Sequence, residues 1–277
     1  MEHKRHLTLF QTTSAYELFT TTDKFIKPNV SYCKDDCKVH YNPYIKDYTK
    51  DYFTIENTGD DILSVVFKQR DSQTGDILDS QVTISYRTIN SDWIETCEQI
   101  NIEPHASIEI KANFRSDSNS AINCIMEGNT TCDVKGNVMS LLFGDDFIGK
   151  TDLTGYDYAL AGLFASNQNI VSAENLILPA TVLSMYCYNS MFGGCISLTT
   201  APVLTATELA RYCYGYMFYD CISLNNITVS FTNWASEERT ASWVKGVAAT
   251  GTFTCPADLQ ERIGWDFIPE GWTIVRV

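Results

Sequence analysis

Histidine is nearly missing from this 277-residue chain. It occurs at His3, His6, His40 and His105 and nowhere later. More than half of the chain therefore cannot by itself build a Ser-His-Asp or Cys-His nucleophile. Long apolar runs are missing too: no stretch approaches the roughly 18 residues of a membrane-spanning helix, so no membrane insertion is expected. Basic side chains are scarce after residue 50. Residues 1–50 carry eight Lys/Arg against six Asp/Glu, a balance of +2; the rest carries twelve against twenty-eight, a balance of −16. A total of −14 argues against nucleic acid as a partner, because phosphate backbones need a basic footprint. The opening "MEHKRHLTLF" has charges but no apolar core or small-residue cleavage site, so it does not read as a secretory signal; folding in the cytoplasm is expected.

What is present is apolar surface, at 44% of residues, enough for a packed core. Ten cysteines are present as well. In a reducing compartment they are expected to be small buried hydrophobes and not disulfides. Their placement is periodic. "YCYNSMFGGCISL" (186–198) and "YCYGYMFYDCISL" (212–224) agree at nine of thirteen positions, 26 residues apart. Leu183, Cys187, Met191, Phe192, Cys195 and Leu198 return as Leu209, Cys213, Met217, Phe218, Cys221 and Leu224. A degenerate copy precedes them, with Leu163, Phe164 and Ile170 in the places of Met191, Phe192 and Leu198. A period in the twenties marks a solenoid. Cys187, Met191 and Cys195 stand at i, i+4, i+8, which predicts a helix, and "SLTTAPVL", stopped by Pro202, predicts a short strand. The expected core of the repeats is Cys187, Met191, Phe192 and Cys195 with Cys213, Met217, Phe218 and Cys221, both phenylalanines in one column.

The unit "LPAT…YCYxxMFxxCxSLTTAPxL" resembles the BspA-like leucine-rich repeats of gut Bacteroidetes and of their crAss-like phages. The likeness takes in "CDVKGNVMSLLFGDDFIG" (132–149) as the entry to the repeats, and "WVKGVAATGTF" (243–253) and "IPEGWTIV" (268–275) as the closing cap. It implies a short leucine-rich-repeat solenoid over 135–233 and a Trp-rich cap over 234–277, where four of the five tryptophans lie.

Residues 49–134 have another rhythm. "DYFTIE", "ILSVVFKQR", "QVTISYRTI", "SIEIKANF" and "AINCIM" alternate as strands between turn signals "NTGDD" and "SQTGD". They predict a small antiparallel β-sandwich, immunoglobulin- or fibronectin-like, with its own core and with Trp93 as a core or inter-sheet residue. The whole reads as α+β, mostly β. Residues 1–48 lack a core of their own. They resemble the N-terminal segments of virion structural proteins of the same phages, which implies an anchoring arm with Tyr16, Phe19, Phe25, Tyr32, Tyr41 and Tyr44 as particle-docking side chains. "SAYELF" within it predicts a short helix.

Three enzyme-like signals carry less. "GDDFIGKT" (144–151) fits the phosphate-loop pattern, yet Gly155 follows closely where a helix is needed and two aspartates would face the phosphates. Cys33, Cys37 and His40 could offer three zinc ligands but have no fourth. Glu237/Glu238 and Asp145/Asp146 are neighbours in sequence, which do not face each other. The expectation is a non-enzymatic protein without cofactor or metal. The resemblance implies a virion component (head fibre, capsid-decorating or tail-associated) with other virion proteins and further copies of itself as partners. It also implies display of the repeats to a host surface protein or glycan. A bacterial cell-surface adhesin is the alternative.

Overall fold

Alternating strand runs become strands almost where the pattern puts them. The structure is a computed structural model, and it describes residues 48–71 and 74–277. The expected helix at "SAYELF", the six docking aromatics and the Cys33/Cys37/His40 group lie outside the described residues. The fold is mostly β, with two antiparallel sheets over the first half.

Sheet 1 contains β1 (Phe53–Asn57), β4 (Ile84–Thr88), β5 (Ile94–Thr96), β7 (Ser107–Lys111) and β9 (Cys132–Asn137). Its order is β9-β1-β7-β4-β5, all antiparallel. Sheet 2 is built on β2 (Leu63–Asp71). This strand pairs with β3 (Ile77–Gln81) and β6 (Ile100–Ile102) along one edge and with β8 (Ser120–Glu127) along the other. Leu63, Val65 and Phe67 of β2 alternate inward, as do Ile108 and Ile110 of β7, and the two sheets share one apolar cluster.

A division at 134/135 does not mark a break in hydrogen bonding. Strand β9 crosses that line and carries two short parallel strands, β10 (Ile170–Ser172) and β11 (Leu176–Ile177). From β10 the ladder runs on through Thr200 to β12 (Asn226–Thr228), β13 (Thr252–Cys255) and β14 (Thr273–Arg276). From β11 a second ladder runs through Leu178, Leu204 and Val229. Sheet 2 is continued as well. The Cys124 amide of β8 donates to Leu163 O at 2.7 Å, and Asn167 exchanges bonds with Met126 and Cys124. Each sheet thus extends into one side of the stacked coils, and residues 48–277 form one compact unit.

The helix expected over 187–195 does not form. That segment, and its equivalents at 158–166 and 212–220, is a run of tight turns. Odd-numbered amides fold back three residues, as Met191 N–H to Tyr188 O at 3.2 Å. Even-numbered amides cross to the next coil, as Tyr188 N–H to Cys213 O, Ser190 N–H to Gly215 O and Phe192 N–H to Met217 O. Every fourth residue is left-handed: Tyr186, Ser190 and Gly194 in one coil, Tyr212, Tyr216 and Asp220 in the next. Such a chain repeats every four residues, so its inward face carries the same i, i+4, i+8 stripe that a helix would show. The one described α-helix is α1 (Ser140–Phe143).

Candidate interaction surface

The expected core residues of the repeats lie where no partner can reach them. Cys187, Met191, Phe192, Cys195, Cys213, Met217, Phe218 and Cys221 are all fully buried. The aromatic column is longer than expected: Phe53 of β1, Phe164, Phe192, Phe218 and Trp243 follow one another at ring separations of 5.7, 5.2, 5.9 and 6.1 Å. Burial pushes the Cys213 and Cys221 thiols up to about 12, and Cys187 and Cys195 also upward. The described cysteines are free thiols in the structure. Two of them hold coils together: the Cys195 thiol donates to Phe164 O and the Cys221 thiol to Phe192 O, each at 3.0 Å.

In the cap, Trp234, Trp243 and Trp272 are buried, and each indole N–H donates to a backbone carbonyl, of Gln260, Phe267 and Ala248 respectively. Trp265 is different, 63% exposed. The Lys245 ammonium sits 4.8 Å from its ring centre and 5.4 Å from that of Tyr219, whose ring meets Tyr216 at 5.9 Å.

Tyr216 belongs to the outward, left-handed register of the turns, and that register carries a second aromatic row. Tyr158, Tyr186 and Tyr212 stack at 4.7 and 4.8 Å with interplanar angles of 8° and 7°, all half-buried. The spacing is the strand-to-strand repeat of a sheet, imposed by the backbone hydrogen bonds between coils. Arg211 covers the Tyr212 end of the row and pairs with Glu238 at 3.2 Å. Ile196 and Ile222 stand exposed at equivalent places of successive coils. The turns therefore present a row of tyrosines. It offers phenol hydroxyls and apolar edges to a partner. The signal was in the sequence as the first tyrosine of both quoted repeats, but without the outward register that tyrosine could not be told from a core residue.

Trp93 corrects an expectation. It is half-exposed, outside the core, with the Arg87 guanidinium at 4.5 Å and the Lys111 ammonium at 4.4 Å from its ring. Arg87 pairs with Glu109 at 2.7 Å, and Lys111 pairs with Asp145. Burial, then the Asp145 bond, pushes the Tyr52 phenol up to about 12, and Lys111 holds Asp145 below the usual carboxylate range. Asp145 and Lys150 belong to the phosphate-loop-like segment. Here that segment is a 3-10 turn (Gly144–Phe147), and the Lys150 ammonium lies 5.4 Å from the Phe143 ring. Glu237 and Glu238 each face an arginine, Arg262 and Arg211.

Comparison of the chain with protein-family models, with curated proteins and with solved structures gives no match.

Proposed function

We propose that this chain is a non-enzymatic structural protein of a bacteriophage virion: a head fibre, a capsid-decorating protein or a tail-associated protein. It joins the particle through residues 1–48 and displays a short leucine-rich-repeat solenoid with a Trp-rich cap. The displayed part adheres to a host surface protein or a gut glycan. Its partners are other virion proteins and further copies of itself. It takes no cofactor. The observation that carries the reading is the division of labour in the repeats. The inward phenylalanine and cysteine columns are consumed by packing, while the outward register holds the half-buried tyrosine row and the exposed Tyr216, and the cap adds the exposed Trp265. Large aromatic side chains left at the surface, Tyr216 and Trp265 above all, fit a contact surface. The charge contrast between residues 1–50 and the remainder supports separate duties for the two parts.

Deleting residues 1–48 tests it. The remainder is expected to stay folded and to be missing from purified particles. Incorporation of the truncated protein at full occupancy sinks the reading. Recovery of the intact protein on the surface of uninfected bacterial cells favours the cell-surface adhesin instead.

A further inference from the structure

Where sheet 2 hands over to the first coil, a groove of about 670 Å³ opens. That volume lies within the usual range of small-molecule sites. Its rim is formed by Arg70, Gly75 and Ile77, by the end of β8 with the loop that follows, and by residues 165–169. Ile77, 48% exposed, and Ile125 supply apolar wall; Gln168 and Ser166 stand exposed opposite them.

Arg70 lines this groove. Most described arginines are visibly neutralised or covered. Arg87, Arg211, Arg262 and Arg276 each face a carboxylate, and Arg115 lies over the Tyr156 ring at 4.1 Å. Arg70 has no carboxylate partner among the described residues. Its Nε donates to Gly75 O at 3.0 Å. Its two terminal nitrogens lie against Gly75 and Gly162, where a Cβ on either glycine would run into the guanidinium. Both glycines also stand at positive φ, which a side chain would strain. Burial pulls the Arg70 pKa down. A half-buried guanidinium with one of its five N–H groups bonded is poorly compensated, in a body that otherwise carries excess carboxylate.

The rest of the groove indicates what accompanies the anion. Asn123, Asn167 and Asn169 spend their amide N–H groups on backbone carbonyls and so form a rigid floor. Gln168 and Ser166 remain for a ligand. A carboxamide and a hydroxyl each donate and accept, as a sugar hydroxyl does. Ile77 and Ile125 suit the C–H face of a pyranose ring.

We propose that this groove binds an acidic saccharide, its carboxylate or sulfate held in the fork of Arg70 and its ring hydroxyls met by Gln168 and Ser166. The inference stands on the groove alone and does not need the virion reading. Calorimetry on the full chain tests it. The probes are N-acetylneuraminate, galacturonate and a sulfated N-acetylglucosamine, with glucose and galactose as neutral controls and inorganic sulfate and an acidic peptide as anion controls. The acidic sugars are expected to bind at least about tenfold more tightly than all controls. Whether the carboxylated or the sulfated sugar binds better identifies the anion. Arg70→Gln is expected to remove about tenfold of that affinity with the melting temperature unchanged, and Arg70→Lys to recover part of it. Should Arg70→Gln fail to fold, the exposed Gln168→Ala is expected to weaken the acidic sugars several-fold. Equal binding of neutral sugars, of sulfate alone or of the peptide overturns the proposal. So does absence of binding by any acidic sugar, or unchanged affinity in Arg70→Gln and Gln168→Ala.

Discussion

At the scale of single residues, the thiols make the clearest physical statement. Seven of the eight described cysteines are buried, and Cys97 is half-exposed. A buried thiolate would lose its hydration with nothing to replace it, so the proton is retained. Cys132, Cys213 and Cys221 are each pushed up to about 12, against roughly 8.5 for a free thiol in the unfolded chain. The sign follows directly. Below about pH 8.5 both states hold the proton, and the thiols leave stability unchanged. Above it the unfolded chain releases protons that the folded chain keeps, so stability falls as pH rises towards 12. Urea unfolding at pH 7, 9 and 10 should show a midpoint that drops on the alkaline side. Among the described cysteines, Cys97 alone should react with a thiol reagent in the native state at pH 8. A stability that rises with pH, or rapid native labelling of Cys187 or Cys213, would contradict this burial.

At the scale of elements, the turn segments hold a conformation that L-residues avoid, at a cost of roughly 1–2 kcal/mol per left-handed residue. What compensates is the amide bond that each alternate residue sends to the next coil, together with stacked rings in register. The arrangement makes a test available. The register Ser166, Gly194, Asp220, Gly246 alternates side chain and glycine, and a Cβ on Gly246 would strike the Asp220 carboxylate. Glycine tolerates the left-handed state. Asp220→Gly should therefore stabilise the protein by about 0.5–1 kcal/mol once glycine's greater freedom in the unfolded chain is deducted. Gly246→Ala should destabilise it, by strain and by that collision. Thermal melts of the two variants decide, and destabilisation by Asp220→Gly would mean that the left-handed residues are not under strain.

For the molecule as a whole, continuity is what matters. The strand pattern at 49–134 predicts a sandwich with its own core, able to outlive the repeats. The structure shows instead that β9 carries the coils on one side, that Leu163 and Asn167 extend β8 on the other, and that one aromatic column runs from Phe53 to Trp243. Removing the repeats would leave two sheet edges and the Phe53 end of the column uncovered. Phe218→Ala, with a cost of about 3–5 kcal/mol from lost burial and the cavity left behind, should lower the melting temperature of residues 48–277 in one transition. Limited proteolysis of the variant should then release no stable sandwich. A resistant fragment ending near residues 135–150 would restore the picture of two independent bodies.

The sequence by itself determined the composition of each face. Cys187, Met191 and Phe192 recur 26 residues later as Cys213, Met217 and Phe218, and every one of them is buried. The alternation of Val82 and Ile84 with Thr83 and Ser85 likewise marked which side of that strand is inside. Faces are a local property, legible in any periodic pattern. Backbone path is not. A four-residue stripe fits a helix and a ladder of turns alike over a short span, although at about 100° per residue a helix drifts roughly 80° off register across eight residues. The choice is made by acceptors on the next coil, such as Cys213 O for the Tyr188 amide, and these are 25 residues away. Tertiary structure alone also set Trp93 outside its sheet between two cations, joined the two antiparallel sheets to the coils, and left Arg70 lining a groove. Each depends on which distant backbone arrives beside a residue, and a linear pattern carries no record of that.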